Sequence, residues 1–373
     1  MYLFMRIALL SLLLVLVIPV YAQQHMAGKD SSYLNFPWKT VATRMSNEWY
    51  ASDAAKQVAE TVLFCQLDIG GWAKNKPYHH PLTDAARAEV EHMRSGIGAT
   101  IDNGSTTTEM KFLARIYGHT KDPRYYRAFE KGLRYLLAAQ YQNGGWPQYY
   151  PLRKGSVSYA SHITYNDDAM ANVLQLLKDM AEGSPNYAQL PVTTDMRTKA
   201  KQAFDKGIEC ILNTQIKAGG KPTVWCAQHD EVTLLPAKAR AYELPSFSGQ
   251  ESIGIVHLLM QVKNPSDEVI ASVKSAVDWL DQHKITGLKV KNRPSAGGER
   301  NIVVVKEEQA PPLLAWFYDL ETEKPFFCDR DGIKKASLAE IGDERRNGYS
   351  WYNAELEQLQ KEYGNWLKKL KTL

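Results

Sequence analysis

Cysteine is scarce: Cys65, Cys210, Cys226 and Cys328 are the only four in a chain of 373 residues. None forms a C-x-x-C pair or a His/Cys cluster at zinc spacing, which excludes a zinc ribbon or finger. Cys65 and Cys210 fall in apolar stretches of helical character, so buried free thiols are expected rather than bridges. An excess of either charge is also missing. Lys and Arg number 45 against 41 Asp and Glu, a net of +4, with no long charged run. Nothing in that balance points to nucleic acid. Low-complexity segments are absent. Long apolar runs are absent as well, apart from one at the N-terminus. There Arg6, the apolar run Ile7–Ile18 and the small-residue site at Val20-Tyr21-Ala22 read as a secretory signal peptide over residues 1–22. The run is too short to span a bilayer comfortably. Export to a periplasm or the medium is expected, with no membrane attachment after cleavage.

What the chain does have is a repeat. Gln66 precedes Gly70-Gly71-Trp72, Gln140 precedes Gly144-Gly145-Trp146, and Gln215 precedes Gly219-Gly220 with Trp225 a little later. Each Gln follows an apolar helical stretch: Val62-Leu63-Phe64, Leu136-Leu137-Ala138 and Cys210-Ile211-Leu212. A decayed fourth copy falls at Trp279-Leu280 with Gly287. Each unit reads as a helix closed by a Gly pair in the left-handed C-cap conformation. The repeat predicts helix pairs packed side by side with their loops at one end. The expected fold is therefore all-α, a toroid-like, incomplete (α/α) barrel with the site in its long loops. Residues 23–45 read as a lead-in, and 46–373 as one domain.

Helical spacing is clearest over 106–117, 123–141, 168–180, 194–214, 252–262, 268–284 and 354–370. Asp122 reads as an N-cap with Pro123 at N1. The run 311–318 also reads as helix, and 302–305 as one of few strand-like pieces.

Three loops carry unusual polarity. Asp102-Asn103-Gly104 precedes a helix, where Asp and Asn serve as caps and Gly permits the turn. Asn166-Asp167-Asp168 also stands at a helix start. Asp168 suits the cap, which leaves Asp167 without a structural task. Adjacent carboxylates beside an Asn suit a hard cation such as calcium, which takes six to eight oxygens. Neither loop has EF-hand spacing, so such a site would be assembled from separate loops. In the third loop, Gln228-His229-Asp230-Glu231 and Lys238-Ala239-Arg240-Ala241-Tyr242-Glu243 interleave titratable groups with Trp225, Cys226 and Tyr242.

Taken together, Gly70-Gly71-Trp72, Ala99-Thr-Ile-Asp-Asn103, Gly144-Gly-Trp-Pro-Gln148, Tyr165-Asn-Asp-Asp-Ala169, Trp225-Cys-Ala-Gln-His-Asp230, Lys238-Ala-Arg240 and Asp329-Arg-Asp-Gly332 resemble polysaccharide lyase family 10, the pectate lyases. The likeness runs from about Glu48 to Asp331. It implies a helical toroid-like core and calcium-assisted anti-β-elimination of polygalacturonate by a monomer. It implies that Asp102, Asn103 and Asp167 form the calcium site, with Asp102 also meeting the substrate, and that Arg240 is the catalytic base. Arg330 falls on a substrate-binding Arg of the family. Lys238, two residues from Arg240, reads as a further substrate-binding residue and, with an intrinsic pKa about two to three units lower, as the alternative base. Trp316 stands where the family carries a substrate-contacting Arg, in Leu314-Ala-Trp-Phe-Tyr318. Two rival readings keep the same fold: a glycoside hydrolase using Asp102 and Asp167 as its carboxylate pair, and a pectate-binding protein without activity.

Overall fold

Short polar side chains start most of the helices. Ser46, Ser52, Thr83, Thr193 and Ser266 each accept a backbone N–H from the first turn that follows them. Asp122 does so at 2.9 Å, with Pro123 at the first helical position. The computed structural model describes residues 32–294 and 298–371. The signal-peptide reading of 1–22 and the start of the lead-in lie outside them.

Twelve α-helices occur among the described residues. They are α1 (Trp38–Arg44), α2 (Asn47–Tyr50), α3 (Asp53–Phe64), α4 (Asp84–Met93), α5 (Thr107–Thr120), α6 (Pro123–Ala139), α7 (Ala169–Ala181), α8 (Thr194–Thr214), α9 (Glu251–Leu259), α10 (Asp267–Gln282), α11 (Asp343–Gly348) and α12 (Leu356–Leu370). Helices α5, α7 and α9 form a central row, and α3, α6, α8 and α10 line up outside it, each packed on a central neighbour. The central helices are buried on nearly all sides, as their apolar faces require. Helix α1 lies inside the stretch that read as a lead-in and packs on α5, where Trp38 Nε1 donates to Glu109 at 2.7 Å.

The repeat is the joint between outer helices. Gln66 Nε2 donates to Gly70 O and to Ala128 O of α6, both at 2.8 Å. Gln140 does the same to Gly144 O and to Ala203 O of α8, at 3.0 and 2.8 Å. Gln215 reaches Thr223 O and Ser272 O of α10, at 2.8 and 3.1 Å. Each Trp turns back: Trp72, Trp146 and Trp225 donate their indole N–H to Val62, Leu136 and Ile211 carbonyls of the helix just ended. All three indoles are fully buried. Gly132 and Gly207 clear room in the next outer helix for Trp72 and Trp146.

Two expectations need correction here. The Gly pairs do not cap the helices, which end at Phe64, Ala139 and Thr214, well before them. Gly70 and Gly144 instead take positive φ of 111° and 91° where the loop presses on the next outer helix. A Cβ there would overlap the Lys131 or Lys206 carbonyl. Gly219-Gly220 is not the third counterpart. Thr223 is, and the two glycines turn a small inserted hairpin between Lys217–Ala218 and Lys221–Pro222. Both have positive φ, as a two-residue hairpin turn favours.

The all-α expectation is also overturned. The described residues hold twelve short strands in five small sheets. Ile163–Thr164 pairs with Gln228–His229, and Leu314–Ala315 with Tyr352–Asn353. Leu288–Asn292 pairs with Ile302–Lys306 over five residues. A four-stranded antiparallel sheet runs Lys334–Lys335, Pro325–Cys328, Phe317–Tyr318, Phe247–Ser248. Residues 311–318, read as helix, thus hold two strand segments. An unbroken apolar run carries no period to separate helix from strand, and its aromatics favour the strand. Around these strands Tyr242, Trp316, Phe317, Phe326, Phe327 and Trp351 form a second, aromatic core. The four cysteines are buried and unpaired, as expected.

The geometry predicts unequal glycines. Gly144→Ala combines a backbone overlap with a left-handed residue and should cost about 3 kcal/mol or more. Gly219→Ala meets no atom within 4 Å and should cost about 1 kcal/mol. Urea unfolding of the two variants distinguishes them; equal losses would contradict the joint described above.

Candidate active site

The same Trp residues that close the outer helices also place the polar loops. Thr100 N–H donates to Trp72 O, Thr164 N–H to Trp146 O and Ser248 N–H to Trp225 O, at 3.1, 3.1 and 2.7 Å. Just beyond the first two lie the turns Asp102–Gly104 and Asn166–Asp168, each one turn of 3₁₀ helix, and they face each other. The third loop joins them: Tyr165 N–H and Asn166 N–H both donate to Ala227 O, at 2.9 and 3.0 Å.

Both turns hold non-glycine residues in the left-handed region, with φ of 53° at Asn103, 53° at Asp167 and 56° at Asp168. Each costs about 1–2 kcal/mol of local strain, least for Asn and Asp. Asp168, expected as a cap, makes no side-chain cap bond. The side chains of Asp102, Asn103, Asn166 and Asp167 line one cavity of about 320 Å³.

Charge in that cavity is tightly managed. Asp102 is 1 % exposed and ion-paired with Lys74 through Oδ2. Its Oδ1 is buried with no donor, as is Oδ1 of Asn166. Asn166 Nδ2 donates to Asp167 Oδ2 at 2.6 Å. Partial burial, then the nearby Asp102 charge, holds the Asp167 carboxyl above its usual range. Asn103 Nδ2 donates to Asn75 Oδ1 at 3.1 Å. Buried carboxylate and amide oxygens that lack donors, converging from two turns, fit a hard cation better than any softer metal.

Arg240 faces this set from the third loop. Its backbone N–H and Nε both reach Glu243 Oε2, at 3.0 and 2.8 Å, and a further guanidinium N–H meets Oε1. The guanidinium lies over the rings of Tyr242 and Tyr349, at 5.0 and 5.6 Å. Burial lowers its pKa, but the bonds and charge of Glu243 outweigh that and hold it above the usual guanidinium value.

Four residues singled out from sequence, Asp102, Asn103, Asp167 and Arg240, thus line one cavity. Three others stand outside its lining. Lys238 is exposed. Arg330 pairs with Glu344 at 2.9 and 3.0 Å and lies 6.0 Å from the centroid of the Tyr242 ring, which Arg240 also approaches. Trp316 is 6 % exposed and stacks on Phe317 and Tyr349. It donates to Glu251, whose carboxyl burial pushes up to about 8. Lys74, Tyr149, Arg153, Asn166, Glu243 and Tyr349 complete the cleft without having been singled out as site residues. Glu243 stood three residues from Arg240 and Asn166 beside Asp167, so proximity was a usable signal for both. Nothing local announces Tyr349.

His229 braces the third loop. Its Nδ1–H donates to Leu234 O at 2.9 Å, and its Nε2 accepts Cys226 N–H at 3.0 Å.

The chain matches the family model described as pectic acid lyase over residues 66–359. Two solved structures of the family 10 polysaccharide lyase from Cellvibrio cellulosa share 33 % identity with it. One, a mutant in complex with trigalacturonic acid, covers 88 % of this chain and 95 % of its own, with a TM-score of 0.73. The other covers 90 % and 95 %, with a TM-score of 0.72. No curated protein matches the chain.

The His229 brace yields a pH prediction. Burial drives its pKa from 6.5 to about 4, so the folded state keeps the ring neutral. The stability it carries is complete above pH 6.5 and is lost as pH falls toward 4. The loss is up to about 3 kcal/mol. Urea unfolding from pH 7 to 4 should show wild type losing that much more than His229→Gln. Parallel curves would mean that the ring is not held neutral.

Proposed function

This chain belongs to the pectic acid lyase family, and we propose that its reaction is calcium-assisted anti-β-elimination of de-esterified polygalacturonate. The relative solved with trigalacturonic acid supports an oligogalacturonide as the occupant of the cleft. The observation that carries the reading is that one cavity is lined both by the oxygen-rich turns and by Arg240.

Elimination removes the proton on C5 of a uronate and expels the O4 oxygen. Negative charge then builds on the adjoining carboxylate. Asp102, Asn103 and Asp167, with Asn166 beside them, are the residues that would hold calcium. Bound there, the ion supplies Lewis-acid stabilisation of that charge. Asp102 also fixes Lys74 at the rim, and Asn75 steadies Asn103.

Arg240 is the base. Its guanidinium is oriented by two bonds to Glu243, whose carboxylate also accepts the Arg240 backbone N–H, so its aim at the cavity does not depend on substrate. The same bonds favour the protonated form, and proton abstraction needs the neutral one. Activity should therefore climb with pH well past neutrality. Lys238 is the weaker alternative, because its side chain is outside the cavity lining. The products are 4,5-unsaturated oligogalacturonides. A hydrolase built on Asp102 and Asp167 would yield none, and Asp102 is already committed to Lys74.

Two measurements test the reading. Ultraviolet absorbance of unsaturated product on polygalacturonate should vanish in excess EGTA and return with calcium; undiminished activity in chelator would remove the metal from the scheme. Arg240→Ala should lower kcat by roughly 10²–10⁴-fold with little change in KM, and Lys238→Ala should be far milder. A silent Lys238→Ala beside an Arg240→Ala that keeps kcat and loses affinity would exchange their roles.

A further inference from the structure

Three basic side chains line the cleft, and two of them are already answered. Lys74 is paired with Asp102, and Arg240 is locked to Glu243. Arg153 differs. Among the described residues no carboxylate stands within ion-pair distance of it, and its guanidinium lies 3.5 Å from the centroid of the Tyr149 ring.

That placement is built into the chain. Tyr149 is 6 % exposed and sits in an isolated bridge with Thr100. The loop that carries Arg153 is closed at its ends, where Gln148 N–H donates to Ala160 O at 2.9 Å. The guanidinium is thus held over an aromatic face, and among the described residues its N–H groups have no carboxylate partner. Cation–π stacking limits its freedom before any ligand arrives. An unpaired planar fork in a polar cleft is suited to a carboxylate, which it meets through two parallel bonds. Lys74 and Arg240 would have to break existing pairs to do the same.

Polygalacturonate carries one carboxylate per sugar, so anchoring one uronate at the Asp102 and Asp167 turns brings a neighbour's carboxylate along the cleft. We propose that Arg153 binds the free carboxylate of that neighbouring uronate and thereby sets the preference for de-esterified over methyl-esterified chains. A methyl ester has lost both the charge and the second acceptor oxygen that the fork requires. The inference rests on the lyase reading for its substrate, but its test does not depend on turnover alone.

Arg153→Ala and Arg153→Lys should be compared with wild type on polygalacturonate and on highly methyl-esterified pectin, with thermal unfolding as a control. On polygalacturonate, Arg153→Ala should raise KM by about tenfold or more, with kcat within about twofold. On the esterified polymer, KM should be unchanged. Arg153→Lys should recover part of the affinity, through charge without the fork. Equal losses on both polymers, no loss on either, or a fall in kcat alone would overturn the assignment. Calorimetric titration of trigalacturonate into wild type and Arg153→Ala separates this idea from the lyase reading. If wild type gives no unsaturated product, the lyase scheme fails while weaker binding by the variant still supports Arg153. Equal affinities overturn Arg153 whether or not the protein is a lyase.

Discussion

A single side-chain amide ties each loop to the neighbouring helix. Nε2 of Gln66, Gln140 and Gln215 has two protons and uses both, one on the returning loop and one on a carbonyl of the next outer helix. A buried amide is costly unless its donors are met, and here each donor is met by a backbone acceptor from a different segment. The joint therefore has only one satisfied geometry. It sets how far α6 stands from α3, α8 from α6, and α10 from α8. It also fixes where the chain emerges, because the Trp follows the loop carbonyl by two residues in all three copies. The Trp then couples the joint to the cleft: its indole N–H closes the helix behind it, and its carbonyl receives the loop that carries the next polar turn.

That coupling explains how strained turns persist. Asn103, Asp167 and Asp168 cannot reach their left-handed conformations without cost, and their own side chains recover little of it. The surrounding bonds hold them. Thr106 Oγ1 accepts Trp72 N–H at 3.1 Å and donates to Thr100 O at 2.8 Å, and Ala227 O collects two N–H groups from the second turn. Gly254 is part of the same arrangement, since a Cβ there would overlap the Asp168 carboxylate. Strain that gathers at a cleft and is over-determined by its neighbours is how a site stays oriented before its ligand arrives.

How much of this the sequence disclosed follows from the range of each interaction. Helix starts are local, and Asp122 with Pro123 behaves as read. The Gln-to-Trp spacing is also local, so the repeat was visible while its purpose was not: the second acceptor of each Gln lies in the next outer helix. The inserted hairpin at Gly219-Gly220 misled for the same reason, because spacing alone matched the wrong glycines. The strand-like piece 302–305 is borne out by the strand Ile302–Lys306, but two-residue strands leave no period to detect, so most of the small sheets are not legible, and the apolar stretch 311–318 reads as a helix. In the cleft, Asp102, Asn103, Asp167 and Arg240 sit in short polar motifs. Lys74 becomes meaningful only beside Asp102. Tyr349, just past α11, reaches Arg240 through a fold that no local pattern encodes.

The charges of the finished cleft add one further constraint. Lys74, Arg153 and Arg240 face Asp102, Asp167 and Glu243, three of each sign around one cavity. Such a lining has no net pull on a polyanion, and the carboxylates of Asp102 and Asp167 stand where a sugar carboxylate must come. Lys74 screens only the first of them. Burial and the Asp102 charge hold the Asp167 carboxyl above its usual range, the mark of a second carboxylate placed beside the first. A proposed divalent cation at these two residues removes the repulsion and leaves the cleft positive by two charges. On the proposed calcium reading, the oxygen-rich turns would hold the cation, and the anionic chain would meet a surface that attracts it. In the protonated form that Glu243 favours, Arg240 and Glu243 are a neutral pair, so the guanidinium is aimed by geometry without adding to the charge that gathers the substrate.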